Sequence, residues 1–181
     1  MLTRRAFLQA GGLALAGLAA PRRGSGDAVV EIRMQSDPTG AEVWFEPTGI
    51  LIEPGQTVRW VMRSPGNPHT TTAYHPRNTS HSLRIPEGAE PWDSGFLLEP
   101  GARFEVTLTV QGVYDYFCLP HEHAGMVGRI VVGRSGGPGA LPFDYFTGRP
   151  GTAGWQPVPE AARRTFPDVA AILAQRVVHR R

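Results

Sequence analysis

Hydrophobic and polar residues alternate with a period of two along several segments between residues 28 and 133. In residues 103–110, for example, Phe104, Val106 and Leu108 fall on one face. This period predicts β-strands, because successive side chains of a strand point to opposite faces. The segments with strand-like patterns are 28–35, 41–47, 49–63 with a turn at Pro54 and Gly55, 103–110, 112–117 and 127–133. Short strands separated by proline and glycine turns predict an antiparallel β-sandwich.

One connection between the predicted strands is long. Residues 64–98 are mostly polar and rich in proline, glycine and histidine. Loops of this length inside a small domain are usually either functional or disordered. The histidines of this connection are therefore candidates for part of a functional site.

The composition changes after the last predicted strand. Residues 134–158 are rich in glycine and proline, which is typical of a linker. Residues 159–181 have a helical pattern, in which Thr165 and Asp168 fit a capping box with Pro167 in its first turn. The apolar residues that share one face of this helix are Val169, Ile172, Leu173 and Val177. Such a stripe usually packs on the body of a protein, so a helical extension packed on the sandwich is the simplest interpretation. A tail that docks a partner is the alternative.

The N-terminus resembles a twin-arginine export signal over residues 1–20, followed by a short linker at 21–27. Arg4 and Arg5 precede an apolar run of small residues that ends at Ala20. This run is too short to span a bilayer comfortably, so no membrane span is expected in the mature chain. The pattern predicts a periplasmic or extracellular protein exported by the twin-arginine route.

Composition narrows the possible functions. Glycine and proline together make 39 of 181 residues (22 and 17), which suits strands and tight turns better than helices. All 18 basic residues are arginine, yet the formal net charge is only +2, so nucleic-acid binding is not indicated. The chain has a single cysteine and therefore no internal disulfide, although disulfides are common in exported proteins. An unpaired thiol in such a protein must be protected or occupied.

The single cysteine stands in the sequence "YDYFCLPHEHAGMV". Cys118, His121 and Met126 form the pattern C-x2-H-x4-M, which a turn can bring to one point. Thiolate, imidazole and thioether are soft ligands, and two histidines, a cysteine and a weak axial methionine form the blue-copper electron-transfer site. The second histidine has to come from elsewhere, and His69 is the best candidate because it follows the segment 49–63. The alternatives are a cysteine that is buried as a small apolar residue and a Cys/His nucleophile, for which the sequence supplies no complete triad.

The segment "YDYFCLPHEHAGMVGRIVV" resembles the C-terminal copper loop of the plastocyanin-like small blue copper proteins, the cupredoxins. "NPH" at residues 67–69 is similar to the upstream histidine motif of that family, and the resemblance covers about residues 29–133. It implies a cupredoxin-like antiparallel Greek-key β-sandwich. It also implies one type 1 copper ion, whose ligands would be His69, Cys118, His121 and Met126.

The resemblance also implies a function. Proteins of this kind are one-electron carriers rather than enzymes, and they pass electrons between larger redox proteins. The electron would enter through the edge of His121, which lies in an apolar surface patch in such proteins. Two residues depart from the family pattern. Phe117 stands where plastocyanins carry a tyrosine of a second, remote electron route, and Thr70 stands where an asparagine usually ties the two ligand loops together.

Three further histidines need an interpretation. We expect His75 and His81 to be ordinary loop residues, with a substitute ligand or a second metal site as the alternative, and His123 to point to solvent. A binuclear copper centre of the two-cysteine type is excluded by the single cysteine. Replacing His75 or His81 is therefore expected to leave the copper site intact.

Two classes of function remain open at the level of sequence. The first is a soluble one-electron carrier. The second is a copper-binding protein for storage or delivery of the metal, or an accessory copper subunit of a larger redox enzyme. A delivery protein needs an exposed, exchangeable site, whereas the trigonal ligand pattern favours the carrier.

Overall fold

The computed structural model describes residues 28–180, so the predicted signal at 1–20 and the linker at 21–27 lie outside the described residues. Nine strands form within this range. They are β1 (Val29–Ser36), β2 (Val43–Glu46), β3 (Gly49–Ile52), β4 (Gln56–Met62), β5 (Thr72–Ala73), β6 (Arg103–Leu108), β7 (Gly112–Phe117), β8 (Val127–Val132) and β9 (Val177–Val178). Seven of these strands correspond to the segments with strand-like patterns, whereas β5 and β9 were not expected.

The strands form two sheets, with the order β2-β1-β4-β6 in the first and β5-β7-β8-β3-β9 in the second. The predicted β-sandwich is therefore confirmed. Both sheets are mixed rather than purely antiparallel, because β1 pairs in parallel with β4 and β3 pairs in parallel with β8. An alternating pattern defines which face of a strand is buried but does not define the direction of its neighbour.

The core lies between the two sheets and is built around aromatic side chains. Trp60 of β4 is fully buried, with its ring centroid 5.2 Å from that of Tyr116 on β7 and 5.5 Å from that of Trp92. Cys118 and Met126 belong to the same cluster of buried residues. Two of the predicted copper ligands are therefore part of this core.

We call residues 134–180 the extension. Its predicted helical part forms helix α1 (Glu160–Thr165) and helix α2 (Val169–Gln175), rather than one continuous helix. The predicted capping box is wrong, because Thr165 ends α1 and its hydroxyl donates to the carbonyl of Ala161. Asp168 precedes α2 but makes no capping bond with its side chain. Pro167 separates the two helices, as expected for a residue that lacks a backbone donor. The helices within residues 28–180 all lack the length and the apolar composition of a transmembrane span.

The extension packs back on the sandwich, as the simplest interpretation predicted. Ile172 of α2 is fully buried in a cluster with Val113 and Val131 of the second sheet. Leu173, in contrast, is 41% exposed, and Val177 belongs to β9 instead of a helix. The strand β9 adds to the edge of β3, with Ile50 opposite Val177. The prediction that these four residues share one helix face was therefore only partly correct, because α2 ends before Val177.

This extension changes the environment of β7 and β8. Every residue of both strands is buried, so both faces of the second sheet are covered here. Asp115 on β7 accepts bonds from Arg84 and Arg129, both at 2.7 Å, and all three side chains are less than 10% exposed. The same guanidinium groups donate to the carbonyls of Gly139 and Pro167 in the extension, both at 2.8 Å. The buried carboxylate therefore joins the sheet to the extension through two arginines.

We expect Asp115→Asn to lower the free energy of unfolding of the metal-free protein by about 3 kcal/mol, because it leaves two buried guanidinium groups without their counter-charge. The control is Glu105→Gln, which removes the surface pair with Arg59, whose side chains are 34% and 39% exposed. That variant should lose less than about 1 kcal/mol. Urea denaturation measures both values, and equal losses would contradict a special role for Asp115.

Candidate metal centre

The cysteine and the methionine lie at the adjoining ends of two neighbouring strands. Strand β7 ends directly before Cys118, and β8 begins directly after Met126. The two strands are antiparallel neighbours, with Phe117 opposite Val127. The residues between them form a short 3-10 helix, Leu119–Ala124. Residues 118–126, which we call the ligand loop, are therefore closed at both ends by the sheet.

Backbone hydrogen bonds fix the shape of the ligand loop. The N–H of Cys118 donates to the carbonyl of Met126 at 3.0 Å, and the N–H of Met126 donates to the carbonyl of His121 at 3.1 Å. The N–H of His121 donates in turn to the carbonyl of Cys118 at 3.0 Å. Gly125 has a φ of 83°, a left-handed conformation that glycine adopts without strain. The three predicted ligands of this loop are therefore connected to one another through the main chain.

His69 is held beside the ligand loop by a separate part of the chain. Its backbone exchanges hydrogen bonds with Leu97, at 3.1 Å and 2.8 Å. Its ring Nε2 lies 3.2 Å from the hydroxyl of Ser36, the last residue of β1. The second contact leaves Nδ1 as the nitrogen that faces the loop. The long connection at 64–98 therefore contributes to the site from both of its ends.

The side chains of His69, Cys118 and His121 converge. One ligand atom of each lies within 4.8 Å of the others. The sulfur of Cys118 is 3.7 Å from Nδ1 of His69 and 3.4 Å from Nδ1 of His121. Within residues 28–180 no other group of three histidine, cysteine or acidic residues has this arrangement. His69 and Cys118 are fully buried, and His121 is half-buried.

Thr70 ties the two ligand segments together. Its N–H donates to the sulfur of Cys118 at 3.3 Å, and its hydroxyl accepts the N–H of Leu119 at 2.8 Å. This threonine stands where the family usually has an asparagine, and the structure shows that its hydroxyl bridges the two segments. A hydrogen bond to a ligand sulfur also tunes the metal that the sulfur holds.

Burial sets the protonation of these groups. Burial, and secondly the neighbouring His121, lower the pKa of His69 to about 4. Burial likewise lowers the pKa of His121. Both imidazoles are therefore neutral near pH 7, which is the form that binds metals. Burial raises the pKa of the Cys118 thiol to about 12, although the N–H of Thr70 opposes this shift. Metal binding at this sulfur must therefore release a proton.

The donor set fits copper. One thiolate and two imidazole nitrogens are the equatorial ligands of a blue-copper site, and a methionine supplies the weak axial contact. Met126 is fully buried and belongs to the same core cluster as Cys118. Its backbone is bonded to both Cys118 and His121. Because of this burial and these backbone bonds, we include Met126 in the candidate site.

The other histidines lie outside this cluster. His75 accepts the N–H of Arg77 through its Nδ1 at 3.0 Å, and His123 is exposed. His81 is buried, and its Nε2 lies 2.9 Å from a carboxylate oxygen of Glu122. Sequence reasoning missed Glu122, because a glutamate in a polar loop normally points to solvent. The one available signal was its position directly after a predicted ligand.

A family model described as copper binding proteins, plastocyanin/azurin family, matches residues 31–133. The plastocyanin of Scenedesmus fuscus is 34% identical over 106 residues, which are 57% of this chain and 98% of that protein. The chloroplastic plastocyanin of Chlamydomonas reinhardtii is 34% identical over 124 residues, 67% of this chain and 77% of that protein.

Solved structures give the same result for the fold. The crystal structure of pseudoazurin from Methylobacterium extorquens AM1 superposes with a TM-score of 0.54. The alignment covers 82% of this chain and 98% of that one at 20% identity, so the likeness concerns the fold. The family match spans more than half of the chain and includes both ligand segments. The chain therefore belongs to the plastocyanin/azurin family of cupredoxins, and copper is its cofactor.

Proposed function

We propose that this protein is a one-electron carrier whose single type 1 copper ion is held by His69, Cys118, His121 and Met126. The observation that carries the proposal is the convergence of the Cys118 sulfur with the Nδ1 atoms of His69 and His121 at a buried place. When bound there, copper supplies a one-electron Cu(I)/Cu(II) couple.

The protein surroundings suit electron transfer because they hold the ligands still. His69 is fixed by Leu97 and Ser36, and the ligand loop is fixed by its own backbone bonds. Thr70 connects the two. Ligands that are held in place by the scaffold move little when the charge of the site changes, so the reorganisation that accompanies electron transfer is small.

His121 is the best candidate for the electron port. It is half-buried, whereas His69 and Cys118 are fully buried. The neighbouring Leu119 is 39% exposed, and Phe96 and Leu98, on either side of the residue that pairs with His69, are 55% and 60% exposed. Exposed apolar groups of this kind mark surfaces that meet other proteins. We propose that redox donors and acceptors dock at this end of the molecule.

A second, remote electron route through Phe117 is less suitable than a route through His121. Phe117 replaces the tyrosine of the remote electron route that the resemblance implied, and it is fully buried. Its ring is covered by Tyr74, with centroids 4.5 Å apart, and the extension adds Val158 and Ala162 to the same cluster. This covering favours a single port at His121.

The second candidate function is copper storage or delivery, or a role as the copper subunit of an enzyme. Delivery requires ligands that a recipient protein can reach. Two of the three converging ligands are fully buried here, which favours the carrier. We also propose that residues 1–20 direct twin-arginine export, so that the carrier acts in the periplasm or outside the cell; the paired Arg4 and Arg5 support this.

We expect Cu(II) to give the purified protein an intense visible band from thiolate-to-copper charge transfer. Cys118→Ser should abolish the band, because it removes the thiolate. His69→Ala should abolish or transform it, because it removes one of the two imidazole groups that would hold the copper. Visible absorption of the copper-loaded variants is the measurement.

The matched control for this spectrum is His75→Gln, which replaces a histidine that lies outside the cluster and should leave the band intact. Loss of the band in His75→Gln together with its retention in His69→Ala would show that the wrong histidine has been assigned. A copper-loaded wild-type protein without the band would contradict the blue-copper assignment itself.

The carrier and delivery functions differ in copper retention. For a carrier we expect copper to stay bound for hours in the presence of a chelator in both oxidation states, since the ligands are buried and interconnected. We also expect a reversible one-electron wave by voltammetry. Transfer of copper to the chelator within seconds, without a reversible wave, would favour delivery over electron transfer.

A further inference from the structure

The 3-10 helix of the ligand loop has one buried side chain, and it is a carboxylate. Glu122 is only 5% exposed, whereas Leu119, Pro120, His123 and Ala124 are exposed. Burying a carboxylate is costly unless hydrogen bonds and charges compensate for the lost water. A fully apolar side chain would fill such a place at lower cost. The presence of Glu122 therefore calls for a specific explanation.

We infer that Glu122, held between Tyr74 and His81, is a positioning residue that keeps the copper ligands His121 and Met126 in place. The Tyr74 hydroxyl donates to Oε1 of Glu122 at 2.6 Å. The Nε2 of His81 lies 2.9 Å from Oε2. Each carboxylate oxygen thus has its own partner. We call these three residues the clamp; it rests on the proposed function, because it matters for copper only if His121 and Met126 are ligands.

The clamp acts on the ligands through the main chain. Glu122 follows His121 directly, and its carbonyl accepts the N–H of Gly125 at 2.9 Å. The carbonyl of His121 accepts the N–H of Met126 at 3.1 Å. A fixed Glu122 side chain therefore holds the turn in which both of these bonds form. If the side chain were released, the turn could rotate as a unit and carry His121 and Met126 with it.

The partners of Glu122 are themselves anchored. Tyr74 is fully buried, and its backbone N–H donates to the carbonyl of Asp115 on β7 at 3.0 Å. His81 packs on Phe117, with ring centroids 4.5 Å apart and planes inclined by 31°. These two contacts reach β7 directly. The clamp thus joins the ligand loop to the strand that ends in Cys118.

The segment that carries His81 is bound to the C-terminal extension. The N–H of Ser82 donates to the carbonyl of Gln156 at 3.1 Å, and the N–H of Gln156 donates to the carbonyl of Ser80 at 2.8 Å. Helix α1 of the extension also lies against the loop itself, since a Cβ on Gly125 would come within 2.6 Å of the hydroxyl of Thr165. The extension therefore contacts the ligand loop through α1 and the segment that carries His81 through Gln156.

The decisive variant is Tyr74→Phe, which removes one hydroxyl and keeps the ring. We expect the amides of Gly125 and Met126 to exchange with solvent about tenfold faster in the metal-free protein, a factor that corresponds to about 1.4 kcal/mol. Copper should leave the loaded variant about tenfold faster than it leaves the wild type, while the visible band persists. Hydrogen exchange followed by NMR and copper transfer to a chelator measure these effects.

Glu122→Gln tests the same clamp from its centre and should give effects of at least the same size. If this variant does not fold, Tyr74→Phe alone carries the test. Where both fold, the effects of the double variant should be smaller than the sum of the two single effects, because both changes remove the same hydrogen bond. Strict additivity would contradict coupling between Tyr74 and Glu122.

The matched control is Tyr114→Phe, which also removes a single tyrosine hydroxyl; that hydroxyl donates to the carbonyl of Val110 at 2.6 Å, outside the ligand loop and the clamp. It should change the copper loss rate and the exchange of Gly125 and Met126 by less than twofold under conditions in which the protein remains folded. Unchanged exchange and copper loss in Tyr74→Phe and Glu122→Gln would overturn the proposal. Equal effects in Tyr114→Phe would overturn it too, because the loss of any tyrosine hydroxyl bond would then be enough to produce them.

The test separates this proposal from the proposed function. A wild-type protein without the blue band would contradict the copper assignment, yet the exchange of Gly125 and Met126 would still measure the clamp in the metal-free protein. A wild-type protein with the band, together with variants that behave like the wild type, would leave the electron carrier standing and reject the clamp.

Discussion

The antiparallel pairing of β7 with β8 is the interaction on which the copper site depends. It brings Cys118 and Met126 to neighbouring strand ends and closes the ligand loop with the bond from the Cys118 N–H to the Met126 carbonyl. A rigid sheet thereby defines the positions of residues that otherwise belong to a loop. His69 joins from another segment, and Thr70 connects that segment to the sulfur and to Leu119. The positions of the ligands are thus set by main-chain hydrogen bonds of two separate segments.

The C-terminal extension gives this cupredoxin a covered second sheet. An uncovered sheet face would carry polar side chains, but β7 and β8 are buried throughout. Asp115 would be costly to bury alone, and its two arginines become stable partners because their remaining donors reach carbonyls of the extension. Within the same extension, α1 packs against Gly125, and the backbone of Gln156 is hydrogen-bonded to the segment that carries His81. The extension therefore acts on the ligand loop as well as on the sheet.

The predictions from sequence succeeded where a local pattern carries the information. Seven strands followed from alternating or apolar segments bounded by turn residues, and the fold class followed from their spacing. The predictions were weaker where a local pattern has more than one structural solution or where distant segments meet. The capping box at Thr165 and Asp168 was wrong, since Pro167 divides two helices and Thr165 bonds within the first one. The parallel pairs of β1 with β4 and β3 with β8 were not foreseen, because a strand pattern is the same for either direction.

The sequence by itself determined the chemistry of the ligand set, because C-x2-H-x4-M between two strand patterns places thiolate, imidazole and thioether on one short turn. It also determined the family, since the residues around that turn are characteristic. Only the tertiary structure decided that His69 faces the sulfur through Nδ1, that His81 lies beside a carboxylate, and that Glu122 is buried. These contacts join residues that are 41 to 49 positions apart. Their formation depends on which loops the two sheets bring together, and no local pattern of side chains encodes that.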